Sequence, residues 1–412
     1  MKILFVSMVA FENNTSATIQ NKGIIRGLSE IGHDIDIMTL RPDQSSISFD
    51  DTMNDISGLI SKAYYIDIDS KYAKLMAKKQ KSSDGISVKH EKSSILKLIL
   101  RKGRNILKKI YDNISIFDAQ KVNVKGVSKL DVDYDKYDII ISASDPKSSH
   151  LIVDKILRDN KPCKAKWIQY WGDPMLNDIT RKSDWRDGLV KYYEKKLIQK
   201  ADRVIYASPL TLNIQKKTFP DFAFKMDYAN QVYVNVINEI KNIDNKVNNN
   251  DSISLGYFGS YRSSIRNIIP LYNAVKKDGR FKLNICGSSD IKLSNTDNIS
   301  VHGMLPYKET IKMEEESDIL VCICNSRGTQ IPGKIYYCTG YNKPIIVILD
   351  SEYKEELRDY LETFNRFILC ENNERAIINA IEEGKRQLNT HKYIINKQLT
   401  PEFMAKKILG EK

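Results

Sequence analysis

The chain has 412 residues, of which 42% are hydrophobic and 9% aromatic, and it carries a formal net charge of +12. This length exceeds what a single hydrophobic core accommodates and suits two domains, and the composition excludes an intrinsically disordered chain. No charged-then-apolar leader follows Met1 and no apolar run reaches about 18 residues, so we expect neither a signal peptide nor a membrane-spanning helix.

Strand and helix patterns alternate through the first half of the chain. The runs typical of β-strands are KILFVSM, HDIDIMTL, YDIIISAS, AKWIQYWG and DRVIYAS. Apolar residues recur at helical spacing in the segments TIQNKGIIRGLSEIG, SSHLIVDKIL and DGLVKYYEKKLIQKA. The run YDIIISAS is apolar almost throughout, which indicates a parallel strand covered on both faces.

The same alternation resumes after the polar stretch NEIKNIDNKVNNNDS. The strand-like runs there are ISLGYFG, FKLNICG, NISVHG, DILVCI and PIIVIL. The helical patterns are NIIPLYNAVKKDG, YKETIKMEEES and GKIYYCTGY. The second half therefore repeats the organisation of the first.

This repetition predicts an α/β protein with two doubly wound, Rossmann-like domains that face each other across a cleft. We place the domains at 1–230 and 252–395, joined by a linker at 231–251 and followed by a helical tail at 396–412. In such sheets ligands bind at the carboxyl ends of the strands, so the cleft is the expected binding site.

Nearly the whole positive charge excess lies in one insertion of the first domain, at about 71–111. This segment holds thirteen Lys or Arg residues against two acids, Asp84 and Glu91, for a net charge of +11. Apart from Tyr72 and Tyr111 it lacks the interleaved aromatic residues of a nucleic-acid-binding surface. We therefore expect no nucleic-acid partner.

Residues 94–111 of this insertion can be wound as an amphipathic helix. Leucine and isoleucine residues then fall on one side, and the other side carries Lys97, Arg101, Arg104 and Lys108. This pattern is typical of a helix lying on an anionic membrane surface. The alternative is an insertion whose apolar side packs on its own domain while its lysines are solvated.

The six cysteines match neither a disulfide framework nor a zinc-binding pattern. They are Cys163, Cys286, Cys322, Cys324, Cys338 and Cys370. Their spacing favours buried free thiols in a reducing, cytoplasmic compartment.

Several cofactor classes are also disfavoured by the motifs. The chain has no G-x-G-x-x-G after its first strand and no G-x-x-x-x-G-K-[ST] phosphate loop. No Asp-x-Asp metal motif follows a predicted strand of the cleft, so we expect no metal and no bound cofactor.

Ordered motifs in both halves carry a resemblance to a known family. In the second half they are LGYFGSYRSSIR, LNICGSS, NISVHGMLPYKE, ESDILV and IPGKIYYCTGYNKPIIVI. In the first half they are NKGIIRGLSEIGHDIDIMTL, YDIIISASDPKSSHLI, KAKWIQYWGDP and YYEKKLIQKADRVIYAS. Through these motifs the chain resembles GT-B glycosyltransferases, in particular those of glycosyltransferase family 4 that build bacterial surface polysaccharides.

The resemblance implies a division of labour between the domains. The C-terminal domain would bind a nucleotide sugar as co-substrate, and the N-terminal domain would bind a glycan or lipid-linked glycan acceptor. Sugar transfer would proceed with retention at the inner face of the cell membrane. The alternative is a sugar-nucleotide epimerase, or a non-catalytic sugar-nucleotide-binding protein, of the same fold.

The turn before the helix GKIYYCTGY is the first part of the implied donor site. In the family the corresponding backbone contacts the donor diphosphate, and free N–H groups at a helix start do bind anions. The residues concerned are Thr329, Gln330, Ile331, Gly333 and Lys334. Taken alone, the same residues also fit a plain loop-to-helix turn with a solvated lysine.

One position departs from the family pattern. The usual pair of glutamates, eight residues apart, would fall on Thr329 and Tyr337. The second glutamate normally holds the ribose, and a tyrosine cannot accept two hydrogen bonds as a carboxylate does. Ribose recognition is therefore expected to differ, or Thr329 and Gln330 to contact the sugar.

The loop GYFGSYRSSIR and the turn ICGSS complete the implied donor site. Arg262 and Arg266 occupy the region of the family's cationic pair, which neutralises the diphosphate leaving group. Gly259, Ser260 and Gly287 lie where the backbone would approach the nucleotide. The alternative is two solvated arginines beside glycine turns.

Asp173 in YWGDP is the candidate catalytic residue. It follows a strand of the first domain and stands where related enzymes carry a group near the reacting sugar. A carboxylate there would orient the acceptor hydroxyl or take its proton. The alternative is an aspartate that caps the turn before Pro174.

Overall fold

The computed structural model describes residues 1–46, 48–53, 56–68, 115–234, 252–388, 390 and 392–411. Most of the basic insertion, the helix predicted at 94–111 and most of the predicted linker lie outside these residues.

The first sheet contains seven parallel strands in the order β3-β2-β1-β4-β5-β6-β7. They are β1 (Lys2–Ser7), β2 (Asp34–Leu40), β3 (Lys62–Ile66), β4 (Ile139–Ser144), β5 (Lys166–Trp171), β6 (Arg203–Tyr206) and β7 (Met226–Tyr228). The helices of this half are α1 (Ser16–Glu30), α2 (Ser148–Asp159), α3 (Asp187–Lys200) and α4 (Pro209–Thr218).

The second sheet contains six parallel strands in the order β10-β9-β8-β11-β12-β13. They are β8 (Ile253–Phe258), β9 (Phe281–Cys286), β10 (Ile299–His302), β11 (Ile319–Ile323), β12 (Ile345–Leu349) and β13 (Ile368–Glu371). The helices are α5 (Ile269–Lys277), α6 (Tyr307–Glu316), α7 (Gly333–Tyr337), α8 (Lys354–Glu362), α9 (Glu374–Leu388) and α10 (Pro401–Leu409).

The central strands are hydrophobic because helices cover both faces of each sheet. Every residue of β4, β11 and β12 is buried. Each domain therefore has two layers of apolar side chains, one on each face of its sheet. The predicted fold class, two doubly wound α/β domains, is confirmed.

The last helix, α10, returns to the first domain. Its residues Met404, Ala405 and Ile408 are buried in the same hydrophobic cluster as Ile24 and Leu28 of α1. The chain thus passes between the domains twice, once after β7 and once before α10.

Each sheet has a point where the strand order reverses, between β1 and β4 in the first and between β8 and β11 in the second. Loops at the carboxyl ends beside such a point form the usual binding crevice of this fold. Loops following β1, β2, β5 and β6 contact loops or helices of the second domain, which positions the candidate site.

Two further expectations concern the cysteines and the membrane. All six cysteines are free, and all except the half-buried Cys163 are buried, so the predicted thiol state is confirmed. Within the described ranges, no helix is both long and apolar enough to cross a membrane.

Candidate functional site

A cleft of about 1140 Å³ lies between the two domains at the carboxyl ends of their strands. The first domain contributes the loops after β1 and β2, and the second contributes the loops after β8, β9 and β10. The lining includes Asn14, Phe49, Asp50, Tyr261, Gly287, Ser288, His302, Gly303 and Met304. Of the residues predicted from sequence, Gly287 lies directly in this lining.

Backbone contacts join the three strand ends that form the second-domain wall. The Gly259 N–H donates to the Cys286 carbonyl (2.9 Å), and the Gly287 N–H donates to the Gly303 carbonyl (3.2 Å). Gly287 has a φ of +149°, and a Cβ atom at this position would lie 2.1 Å from the Gly259 carbonyl oxygen. Only glycine fits this approach, so the wall is a tightly packed backbone surface.

The two predicted arginines have different environments. Arg266 is half-buried, and its guanidinium donates to Asn325 Oδ1 (2.9 Å) and to the Ser260 carbonyl (2.9 Å). Arg262 is exposed. Arg266 therefore holds the loop in place, while the charge of Arg262 is accessible to an anion.

The turn at Thr329 and Gln330 is a domain contact. The Thr329 carbonyl accepts hydrogen bonds from Ser208 Oγ (3.1 Å) and Thr211 Oγ1 (3.2 Å) of the first domain. Gln330 Nε2 donates to the Asn177 carbonyl (2.8 Å). Both residues are buried, so the turn joins the domains.

Gln330 also presents a buried acceptor. Its side-chain oxygen Oε1 has no hydrogen-bond partner within the described part of the chain. The Gln330 carbonyl accepts from Asn325 Nδ2 (2.7 Å), which links this turn to Arg266 through Asn325. Ile331, the next residue, packs in the second domain's core.

Gly333 is enclosed by protein atoms, and Lys334 is half-buried. A Cβ atom on Gly333 would lie 2.4 Å from Gln231 Oε1 and 2.7 Å from the Tyr337 hydroxyl. Lys334 Nζ donates to Glu314 Oε1 at 2.5 Å. Burial alone would lower the pKa of Lys334, but the adjacent Glu314 carboxylate raises it above its ordinary value. The lysine charge is thus balanced within the protein, and its contact with a diphosphate stays a prediction.

Tyr337 reaches the first domain from the position where the resemblance places a ribose-binding glutamate. Its hydroxyl donates to the Ser16 carbonyl (3.0 Å) at the start of α1. The side chain is buried, and this burial raises the pKa of Tyr337. The tyrosine therefore supplies a neutral contact between the domains.

A cluster of charged side chains surrounds Asp173 at the carboxyl ends of β4 and β5. Lys147 Nζ lies 2.7 Å from Asp145 Oδ1 and 2.5 Å from Asp178 Oδ2. Burial, followed by the nearby Asp145 carboxylate, raises the pKa of Asp173 well above its ordinary range. Burial would lower the pKa of Lys147, but its three acidic neighbours raise it.

Glu194 of α3 holds the loop that carries Asp173 in place. This buried carboxyl group accepts hydrogen bonds from the backbone N–H groups of Met175 (3.2 Å) and Leu176 (2.8 Å). Burial raises the pKa of Glu194 from 4.5 to about 7 despite these bonds. The position of the loop is thus linked to a group that titrates near neutral pH.

Asp50 is a site residue that the sequence interpretation missed. Its Oδ2 atom accepts a hydrogen bond from the Tyr307 backbone N–H (2.6 Å) at the start of α6. Burial would raise the pKa of Asp50, but hydrogen bonds from Thr52 and the Tyr307 N–H hold it below its ordinary value. A first-domain carboxylate thus caps a second-domain helix, a pairing that no local sequence signal predicts.

Asp145 and Lys147 were also missed, although a signal was available. They directly follow the wholly buried strand β4, and polar residues at that end of a parallel strand commonly face the binding crevice.

As for metal sites, the described residues hold no group of three or more His, Cys, Asp or Glu that could bind an ion.

No protein-family model matches the chain, and no curated protein matches its sequence. Among solved structures it is similar to sucrose-phosphate synthase from Thermosynechococcus elongatus, with 12% identity, a TM-score of 0.57, and coverage of 100% of this chain and 94% of that one. It is also similar to Anabaena HepE in complex with UDP and glucose, with 10% identity, a TM-score of 0.55, and coverage of 100% and 96%.

A third similar structure is an α-glucosyltransferase in complex with UDP and a 13-mer DNA containing an HMU base. It has 10% identity and a TM-score of 0.50, and the match covers 99% of this chain and 95% of that one. Similarity at these identities over the whole chain shows a shared fold, the two-domain GT-B architecture expected from the sequence.

Proposed function

We propose that this chain is a glycosyltransferase that moves a sugar from a nucleotide-sugar donor to a glycan or lipid-linked glycan acceptor in surface polysaccharide synthesis. The observation that carries the proposal is the large cleft formed jointly by the strand ends of two doubly wound domains. HepE and the α-glucosyltransferase, which share the fold, were both solved with UDP, so a UDP-sugar is the first donor to test.

The second domain holds the donor in this proposal. The backbone at Gly259 and Gly287 is close-packed and can be approached by a nucleotide, and Arg262 is an accessible cation beside it. The guanidinium neutralises the diphosphate as the glycosidic bond breaks. The buried Oε1 acceptor of Gln330 suits a hydroxyl donor of the sugar.

Asp173 of the first domain handles the acceptor hydroxyl. A carboxylate with a raised pKa is a stronger base once ionised, so it can orient this hydroxyl or take its proton. The hydroxyl oxygen forms a bond to the anomeric carbon, and the bond from that carbon to the diphosphate breaks. The anomeric configuration is retained, and no covalent intermediate with the protein is required.

The acceptor class and location rest on the sequence. A net charge of +11 at about 71–111 favours binding to an anionic surface. The inner face of the cell membrane is such a surface, and a lipid-linked glycan acceptor would lie there. The protein would then be cytoplasmic and peripherally attached.

Nucleotide release is the decisive experiment. A thermal-shift screen across UDP- and GDP-sugars first selects the donor, and free nucleotide is then measured with and without acceptor glycans. Release that requires the acceptor supports transfer. Conversion of the donor sugar without any acceptor supports the epimerase alternative, and binding without turnover supports a non-catalytic protein.

The stereochemistry is tested on the product of that reaction. The anomeric configuration of the new linkage is determined by NMR and compared with that of the donor. An inverted linkage would contradict the retaining mechanism while leaving sugar transfer established.

A further inference from the structure

Helix α3 and the turn before it present large apolar side chains to solvent. The exposed fractions are 76% for Trp185, 42% for Leu189, 48% for Tyr192 and 39% for Tyr193. Trp185 lies in the turn just before α3, and Leu189, Tyr192 and Tyr193 lie within the first two turns of the helix. We call these four side chains the α3 stripe.

The α3 stripe is unusual because the opposite side of the helix already packs in the domain core. Val190, Leu197 and Ile198 of α3 are buried there. The exposed aromatic side chains are therefore additional to what folding of this helix requires. Contiguous exposed apolar residues of this kind mark a contact surface.

The charges around the α3 stripe are predominantly positive. Lys182, Lys191 and Lys196 are exposed, and Lys196 Nζ lies 4.5 Å from the centre of the Tyr192 ring. The acidic Asp187 pairs with Arg181. Lysines beside Trp and Tyr are typical of a surface at the headgroup level of an anionic bilayer.

The α3 stripe begins at the loop that carries Asp173. The same loop contacts the second domain, since Arg327 Nη2 donates to the Ile179 carbonyl (3.1 Å) and Gln330 donates to the Asn177 carbonyl (2.8 Å). A bilayer at the stripe would thus lie beside the proposed acceptor side of the site.

The described chain that follows the basic segment in sequence also packs against this helix. Residues 69–114 lie outside the described part, and Ser115, which follows them, accepts a hydrogen bond from Arg186 Nη1 through its carbonyl (3.1 Å). The Phe117 ring packs 5.8 Å from the Tyr193 ring, centre to centre. The described chain that follows the basic segment therefore contacts the α3 stripe at Tyr193.

We propose that the α3 stripe is the surface through which this protein lies on an anionic lipid bilayer, with Trp185 and Leu189 at the level of the acyl-chain boundary. This deepens the peripheral attachment in the proposed function, and it assigns the contact to Trp185 and to three residues that the sequence analysis describes only as part of a helix. Tyr192 and Tyr193 would lie among the headgroups, where an amphipathic ring is favourable.

Vesicle flotation tests the proposal with a triple variant, Trp185→Ser, Leu189→Ser and Tyr192→Ser. The full-length protein is mixed at low salt with phosphatidylcholine vesicles that contain or lack phosphatidylglycerol. We expect wild-type protein to float with the anionic vesicles and the variant to bind at least tenfold more weakly. Ile394→Ser is the matched control, because Ile394 is 82% exposed in the second half of the chain.

Tryptophan emission gives an independent readout. The chain has three tryptophans, of which Trp167 and Trp171 are buried and Trp185 is exposed. Anionic vesicles should shift the wild-type emission to shorter wavelength, and Trp185→Phe should abolish the shift. Unchanged emission of wild-type protein bound to vesicles would overturn the proposal.

The remaining outcomes separate this inference from the proposed function. Equal flotation of the triple variant and wild type would overturn the role of the α3 stripe but not peripheral attachment. Failure of wild type to bind would overturn both. A wild-type dimer that the triple substitution dissociates, with no effect on flotation, would reassign the stripe to self-association. The transferase proposal is tested separately with a water-soluble acceptor. Acceptor-dependent nucleotide release by the triple variant should then equal that of wild type.

Discussion

The two sides of the interdomain site are built from different chemistry. On the second-domain side, Gly259 and Gly287 form a wall of backbone groups whose geometry is set by chain packing. In the first domain, outside the lining of the cleft, Asp145, Lys147 and Asp173 form a partly buried network of titratable groups at the carboxyl ends of β4 and β5. The geometry of the backbone wall does not depend on pH, whereas the net charge of the side-chain network changes whenever one of its groups gains or loses a proton.

This difference indicates what each side is suited to do. A close-packed wall whose backbone N–H groups at Gly259 and Gly287 are already bonded need not reorganise when a donor binds, and the exposed Arg262 would supply the positive charge for its diphosphate. Buried charges are costly unless paired, so we interpret a network that retains several of them as adapted to chemistry rather than to stability. Substitutions on the two sides should therefore affect different kinetic quantities.

Asp173→Asn should have the largest effect on catalysis. Removing the carboxylate should lower kcat roughly 100-fold, the lower range for a proton-transferring group, while leaving the donor dissociation constant unchanged. Acceptor-dependent nucleotide release and donor binding by calorimetry measure the two quantities. Asp135→Asn, at an exposed turn of the same domain, is the control. Full activity of Asp173→Asn would exclude a proton-handling role.

Glu194 should make the stability of the first domain depend on pH. Its pKa is about 7 in the folded protein and ordinarily 4.5, so the folded state binds the proton more tightly. The contribution to stability is fully present below pH 4.5 and is lost as the pH rises through 7. The loss is on the order of 3 kcal/mol.

Urea unfolding at pH 5 and pH 8 checks this expectation. The free energy of unfolding of wild type should fall between these values by more than that of Glu194→Gln, which cannot titrate. Parallel pH dependence of the two proteins would show that Glu194 is not the responsible group.

Arg262→Ala should act on the donor side alone. Loss of the accessible guanidinium should weaken nucleotide-sugar binding at least tenfold, or about 1.4 kcal/mol, with little change in the pH dependence of kcat. Arg386→Ala is a suitable control, because Arg386 pairs with Glu383 within α9. Unchanged donor binding in Arg262→Ala would remove this residue from the diphosphate site.

Asp50→Ala should have the smallest effect, because it removes a single helix cap between the two sides. Loss of the bond to the Tyr307 N–H should cost about 1 kcal/mol and favour a more open arrangement of the domains. Small-angle X-ray scattering should show a larger radius of gyration than for wild type. The Thr52→Ala variant is the comparison, because the Thr52 hydroxyl donates to Asp50 Oδ1 and not to the Oδ2 atom that accepts from the Tyr307 N–H.

Much of the fold could be predicted because local patterns determine it. The strands β4, β11 and β12 are continuous apolar runs, and such runs are recognisable wherever a sheet is covered on both faces. The strand β3 was missed because its sequence, KAYYI, mixes exposed and buried positions at the edge of the sheet.

The site was less predictable because it depends on how the domains meet. The hydroxyls of Thr211 and Thr329 lie 3.0 Å apart although 118 residues separate them in sequence. The partner of Lys334, Glu314, likewise belongs to another helix of the fold. Sequence patterns identify which residues follow a strand, but they do not identify which of these residues are already engaged by the opposite domain.

The return of α10 to the first domain has a consequence for biosynthesis. The cluster formed by Ile24 and Leu28 is incomplete until Met404 and Ile408 are in place. Domains usually fold in order as they leave the ribosome, the N-terminal one first. Here the first domain is synthesised first, but its folding is completed only after the second domain and α10 have been translated. Until then the apolar surface of α1 stays uncovered and is accessible to chaperones.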